Sequence, residues 1–189
     1  LYIVNDGTLN MNGSTLGGNT ASGWGGGIAS YGELSVGFST FYSNTAPSGS
    51  GGIDNNATLT VLNSTFNTNS TAGAGGGINN FGTLTVTNST FGSNLAGSAG
   101  GGGIHNEGDN STVLYNTLFS NNTGGNCAGT LNADTYNMSS DATCDNANQK
   151  TVNQISLGSL ADNGGGLTWT MALLTGSAAY NAGENLHCP

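Results

Sequence analysis

Gly75-Gly76-Gly77-Ile78-Asn79-Asn80-Phe81-Gly82-Thr83-Leu84-Thr85-Val86-Thr87-Asn88-Ser89-Thr90-Phe91-Gly92-Ser93-Asn94 carries three elements in fixed order. A glycine run ends at Ile78, a Leu-x-Val pair follows at Leu84 and Val86, and Phe91 precedes Asn94 by three residues. Each element recurs outside this stretch. The first returns at Gly25-Gly26-Gly27-Ile28, Ser50-Gly51-Gly52-Ile53 and Gly101-Gly102-Gly103-Ile104, with isoleucines spaced 25, 25 and 26 residues apart. The second returns at Leu34-Ser35-Val36 and Leu59-Thr60-Val61, and Leu9-Asn10-Met11 is its first copy. The third is Leu16, Phe41, Phe66, Phe91 and Phe119, each followed by Asn19, Asn44, Asn69, Asn94 or Asn122. Three columns kept in step mark a repeat architecture.

The spacing within each copy selects the kind of repeat. Leu-x-Val alternates with period two, as in a short strand showing one face inward. Helical repeats of this length need apolar residues at 3.6 spacing and few glycines. Each copy holds about three short strands separated by turn residues, which makes one coil of a solenoid. The expected fold is all-β, a right-handed single-stranded parallel β-helix with about 25 residues per coil. Stacked coils bring equivalent residues about 4.8 Å apart. Ile28, Ile53, Ile78 and Ile104 then form one core stack, and Phe41, Phe66, Phe91 and Phe119 another. No single coil buries these residues alone, so stability has to come from neighbouring coils. Asn19, Asn44, Asn69, Asn94 and Asn122 fall at a turn, where Asn tolerates positive φ, and their stacked amides suit a structural ladder. The glycine triplets mark corners of tight bending or close backbone approach. A phosphate-cradling loop would occur once with a cation nearby, whereas this one occurs four times without one.

Composition narrows the function. The chain has 189 residues and a formal net charge of -9, and Lys150 is its one cation against ten carboxylates. Binding to nucleic acid requires Lys and Arg to neutralise phosphates, which excludes DNA and RNA as partners. Anionic membrane surfaces are disfavoured for the same reason. Leu1-Tyr2-Ile3-Val4 and Leu173-Leu174 are the apolar islands, too short to insert in a bilayer, and no signal peptide is visible. Cys127 and Cys144 flank a polar segment and are expected to pair as a disulfide, which suits an oxidising compartment. Three reduced thiols are the alternative. Cys188 is then odd, available as an intermolecular thiol.

The Gly-Gly-x-Ile and Phe-x-x-Asn columns resemble the repeats of bacterial surface β-helix proteins, including the polymorphic outer-membrane proteins. The resemblance spans roughly residues 1–123. The stretch Leu160-Ala161-Asp162-Asn163-Gly164-Gly165, with Ala172-Leu173-Leu174-Thr175-Gly176-Ser177 and Asn181-Ala182-Gly183, is similar to the closing segment of related secreted repeat proteins. The resemblance implies a right-handed β-helix, export, and roles in adhesion or surface architecture. It supplies no catalytic residues, and neither a membrane-anchoring barrel nor a sorting segment follows.

These readings divide the chain into parallel β-helix repeats over 1–123, an irregular coil with the disulfide over 124–150, and a C-terminal end cap over 151–189. The other end starts directly in a repeat, making Leu1, Tyr2, Ile3 and Val4 a stacking end. Either further coils precede it, or copies stack head to tail into a filament.

Candidate sites are few. Asp6 and Asp54 lie near the same turn two coils apart, about 10 Å by strand spacing, and surface solvation explains them better than a paired-carboxylate hydrolase. His105 and His187 fit no metal pattern, and no cofactor is expected. A Ca²⁺ site near Glu107 and Asp109 is the alternative, although the calcium β-roll repeat is missing. Thr58-x-Thr60 and Thr83-x-Thr85 stack as on ice-binding solenoids, but Glu33-x-Ser35 and Thr8-x-Asn10 break that face. Trp24, Tyr31, Tyr42 or Phe81 could stack on sugars, with turn packing as the alternative. Asn-x-Ser/Thr occurs at Asn12, Asn56, Asn63, Asn69, Asn88, Asn110, Asn121 and Asn137. The expectation is a noncatalytic, secreted or surface-displayed structural or adhesive module. Its partners would be further copies end to end, cell-surface or matrix components, or glycans. A polysaccharide-cleaving β-helix and an ice-binding solenoid are the alternatives.

Overall fold

The computed structural model describes residues 3–98, 100–107, 111–133, 136–164, 166 and 168–186. Leu1, Tyr2, Asp109, His187 and Cys188 lie outside them, so part of the stacking end and the odd thiol have no structural account. The chain winds as a parallel β-solenoid whose coils contribute one strand to each of three sheets. Sheet 1 stacks Ile3–Asn5, Ile28–Ser30, Ile53–Asn55, Ile78–Asn80, Ile104–Asn106 and Cys127–Ala128. Sheet 2 stacks Thr8–Asn12, Glu33–Gly37, Thr58–Leu62, Thr83–Thr87, Thr112–Tyr115 and Asn132–Ala133. Sheet 3 stacks Thr15–Gly17, Thr40–Tyr42, Thr65–Asn67, Thr90–Gly92, Leu118–Ser120, Met138–Ser139 and Asn148–Gln149.

The register is the 25-residue repeat itself: Ile28 pairs with Ile53, Leu34 with Leu59, Val36 with Val61 and Phe41 with Phe66. Like residues therefore stack inside, and the Ile, Leu, Val and Phe columns make one continuous core. The phenyl rings lie nearly parallel, with centroids 4.8, 4.7 and 5.1 Å apart from Phe41 to Phe119. That spacing is the strand separation, so the backbone ladder sets the ring stack. A Cβ at Gly26 or Gly52 would run into the carbonyl of Gly51 or Gly77 in the next coil, which is why the corner before sheet 1 needs glycine.

The Asn column is a full ladder. Nδ2 of Asn19 donates to Oδ1 of Asn44 at 2.8 Å, and the same bond runs on from Asn44 to Asn69, Asn94 and Asn122 at 2.9 to 3.0 Å. Each Oδ1 also accepts the backbone N–H of the preceding rung, and Asn44, Asn69, Asn94 and Asn122 donate a second time to the carbonyls of Leu16, Phe41, Phe66 and Phe91. Among the described residues no buried side-chain nitrogen or oxygen is left without a partner, as burial demands. The turn's left-handed residues are the ones just before the ladder, Gly18, Ser43, Thr68, Ser93 and Asn121. The other two turns carry ladders that sequence reasoning missed. Between sheets 1 and 2, Asn55 donates to Asn80 at 2.6 Å and Asn80 to Asn106 at 2.8 Å. Between sheets 2 and 3, the N–H groups of Ser14, Ser39 and Ser64 donate to the hydroxyls of Ser39, Ser64 and Ser89 at 3.1 to 3.2 Å.

After Thr123 the period is lost but the three sheets continue for another coil. Asn126 takes the next rung only four residues after Asn122, accepting its Nδ2 at 2.8 Å. Cys127 occupies the Ile column, and Ser139 pairs in the Phe column. Cys144, joined to Cys127 by the disulfide, fills the narrowing core with Leu131 and Ala147. The segment expected as an end cap runs along the side of the solenoid instead. A short helix, Val152–Ile155, is closed by a capping box between Thr151 and Gln154. An antiparallel hairpin of Leu157–Ala161 and Thr170–Leu173 then lies over the outer face of sheet 3. Its far end reaches the second coil: Thr168 Oγ1 donates to the Phe38 carbonyl at 3.1 Å, Thr40 Oγ1 donates to the Trp169 carbonyl at 2.6 Å, and the Trp169 ring stacks on Tyr42. The physical reason is the outward column of sheet 3, where Tyr42 and the bare Gly92 give Trp169 and Met171 something to cover.

Candidate functional site: a groove on the outer face of sheet 1

The middle residue of each sheet 1 strand points away from the core. Register places Val4, Ala29, Asp54, Asn79, His105 and Ala128 in one such column along the axis. The turn residues two positions on form a parallel wall containing Tyr31, Asn56, Phe81 and Glu107. The opposite wall is the loops that lead into each coil, at Trp24, Pro47–Gly49 and Ala72–Ala74. Between them runs a groove of about 500 Å³ whose floor is Asn79 and His105 and whose rims include Trp24, Phe81 and Glu107. Trp24 is half exposed and Phe81 is 36% exposed.

Asp54 lies beneath the Trp24 end of the groove and is 1% exposed. Gly49, at φ +62, has no side chain because any Cβ there would strike the Asp54 carboxyl and the Trp24 ring. The carboxyl accepts from Asn56 Nδ2 at 2.9 Å, from Asn79 Nδ2 at 3.2 Å and from the backbone of Ser50. Burial pushes its pKa above the ordinary carboxylate value, and the hydrogen bonds from Asn79, Asn56 and Ser50 pull part of the way back.

This fixes the polarity of the floor. Asn79 donates its Nδ2 to Asp54 Oδ2 and turns its Oδ1 to His105 Nδ1, 3.0 Å away. The His105 Nδ1 then carries the proton, and Glu107 Oε2 lies 3.3 Å from the same nitrogen. Asn56, Asp54, Asn79, His105 and Glu107 thus form one connected polar line across three coils. No group of three or more His, Cys, Asp or Glu placed to hold a metal occurs among the described residues. Glu107 stands beside His105, and Asp109 is outside the described residues.

The structure brings some candidates together and separates others. Asp6 belongs to the turn wall, not the Asp54 column, so the two acids do not share a row. Trp24 and Phe81 meet at one groove, Tyr31 is exposed farther along the same turn wall, and Tyr42 is stacked against Trp169. Thr58 and Thr83 pair in sheet 2, as do Thr60 and Thr85, but Thr85 is followed by Val113. Asn69 and Asn137 are fully buried. The line from Asp54 to His105 was missed, although its signal was available: Asp54, Asn79 and His105 directly follow Ile53, Ile78 and Ile104 of the repeat.

No protein-family model, curated protein or solved structure matches the chain. Function therefore rests on the geometry of this groove and of the solenoid that carries it.

Proposed function

We propose that this chain is a noncatalytic extracellular structural or adhesive module, a stiff segment of β-solenoid that holds a binding surface away from a cell. The carrying observation is the uninterrupted Asn ladder from Asn19 to Asn126, which ties every coil to the next by side chain as well as backbone. Such a rod resists bending, because tilting one coil against another breaks buried hydrogen bonds in a medium where they are strong. The Cys127–Cys144 disulfide supports an oxidising, extracytoplasmic setting. The likeness of the Gly-Gly-x-Ile and Phe-x-x-Asn repeats to bacterial surface β-helix proteins supports the same placement. A single cation leaves few sites for trypsin-like proteases, which suits life outside cells.

The proposal extends to end-to-end association. Among the described residues, Ile3–Asn5, Thr8–Asn12 and Thr15–Gly17 are edge strands of the three sheets, and Ile3, Leu9 and Leu16 are only half buried there. A second copy stacked on that edge would continue all three sheets and cover those side chains.

Two measurements on the purified chain test this reading. Negative-stain electron microscopy is expected to show rods of constant width that lengthen with protein concentration. Incubation with a panel of polysaccharides is expected to release no reducing ends. Concentration-independent single rods would overturn end-to-end stacking, and release of reducing ends would overturn the noncatalytic assignment.

A further inference from the structure

We infer that the groove on the outer face of sheet 1 is a binding site for a neutral oligosaccharide. The inference rests on the adhesive part of the function proposed above and names the ligand that an adhesive surface of this kind would take.

Three observations carry it. The first is the pairing of aromatic and polar surface. Trp24 and Phe81 stand on opposite rims, with Asn79 and His105 on the floor between them and Glu107 on the Phe81 side. Pyranose rings have apolar C–H faces and hydroxyl edges, so an aromatic ring covers a face while imidazole and carboxylate groups take up the edges. Phe81 lies two coils beyond Trp24, about 10 Å along the axis by strand spacing, a separation that a run of two or three linked sugar rings spans.

The second is preorganisation. The floor is not a set of loose surface side chains. Asn79 is 2% exposed and held at both ends of its amide, by Asp54 and by His105. Asp54 is itself locked by Asn56 and by the backbone of Ser50. This buried pair holds His105 in place from beneath, so a ligand meets an imidazole whose position is already fixed, which lowers the ordering cost of binding.

The third is charge. The groove holds two carboxylates within one hydrogen-bonded line, and the sole cation, Lys150, lies outside the coils that build it. Uronic acids and sulfated sugars would place an anion beside Asp54 and Glu107 with no compensating cation. The chemistry favours uncharged hexose or pentose units, whose diols can donate to the Glu107 carboxylate.

The test is a titration of the intact chain with short neutral gluco-, manno-, galacto- and xylo-oligosaccharides, followed by calorimetry and by amide NMR shifts. Uronic-acid oligomers serve as anionic controls. At least one neutral series is expected to bind and to shift the amides of residues 24, 49, 79, 81 and 105. Trp24→Ala is expected to weaken that binding about tenfold or more, because it removes the larger apolar platform. Glu107→Gln, an exposed and conservative change, is expected to weaken it less and to narrow the preference for neutral over anionic oligomers. Circular dichroism checks that both variants keep the fold. Binding that is unchanged in a folded Trp24→Ala, shifts confined to another face, or stronger binding of the anionic controls would each overturn the site. No binding across the panel overturns it too, while leaving the structural role intact. Cleavage of a bound oligosaccharide would leave the site standing and overturn the noncatalytic assignment instead.

Discussion

Residues 28–107 and residues 124–186 solve one problem, closing a stack of coils, by different means. In the first region every coil repeats its neighbour, so each turn carries its own ladder and the core columns run Ile on Ile and Phe on Phe. In the second the repeat has decayed, and specific devices replace it. Asn126 supplies a rung from four residues away, Asn137 Oδ1 accepts the N–H of Thr117 where a Ser hydroxyl stood before, and a disulfide holds Cys144 in the tapering core. The difference teaches that the period is needed only for cheap propagation. A coil can leave it and keep the three sheets, provided its buried polar groups still find partners.

The sharpest way to break the comparison is inside the periodic region. Phe66→Ala removes a fully buried ring stacked on both Phe41 and Phe91 and is expected to destabilise the fold by about 4 kcal/mol. Chemical denaturation would measure it, and a loss below about 1 kcal/mol would mean the stack is not the core's main support. In the aperiodic region the largest effect belongs to the cross-link. Replacing both Cys127 and Cys144 by Ala opens a loop with a sequence separation of 17 residues and is expected to cost about 3 kcal/mol. Reduction of the native chain should reproduce most of that shift in thermal unfolding.

Smaller effects sharpen the contrast. Trp169→Ala removes the ring that ties the hairpin to Tyr42 at the solenoid's side and is expected to cost about 1 kcal/mol. Its signature would be faster proteolysis within residues 157–173 with little change in the coils. The smallest effect is a slope. Burial holds Asp54 above its ordinary pKa, so the folded chain binds that proton more tightly than the unfolded chain. The stability this contributes is complete below the unfolded value near 3.8 and is lost as pH rises through the folded value. Asp54→Asn is therefore expected to flatten the fall in melting temperature between mildly acidic and neutral pH. An unchanged slope would show that Asp54 does not titrate as the buried geometry requires.

Most of the fold was legible because the repeat writes the register directly. Ile28 to Ile53 and Phe41 to Phe66 are both the spacing in sequence and the pairing in space. The Asn ladder was legible for the same reason, although which residue takes positive φ was not, since the amide stack and the left-handed turn occupy adjacent positions. The hairpin's path was hidden. Trp169 meets Tyr42 and Thr40 across more than a hundred residues, and no periodicity records a contact made once. The groove lay between these cases. Ala29, Asp54, Asn79 and His105 differ from one another, so they do not read as a column until the isoleucines beside them are aligned.

Side-chain ladders, not only backbone pairing, lock the periodic coils into one unit. Native-state amide hydrogen exchange tests it most directly. The N–H groups of Asn44, Asn69 and Asn94, which donate to side-chain oxygens of the next rung, are expected to exchange as slowly as the strand amides of Phe41, Phe66 and Phe91, and far more slowly than those of residues 157–173. Fast exchange at the Asn positions beside slow exchange in the strands would contradict it.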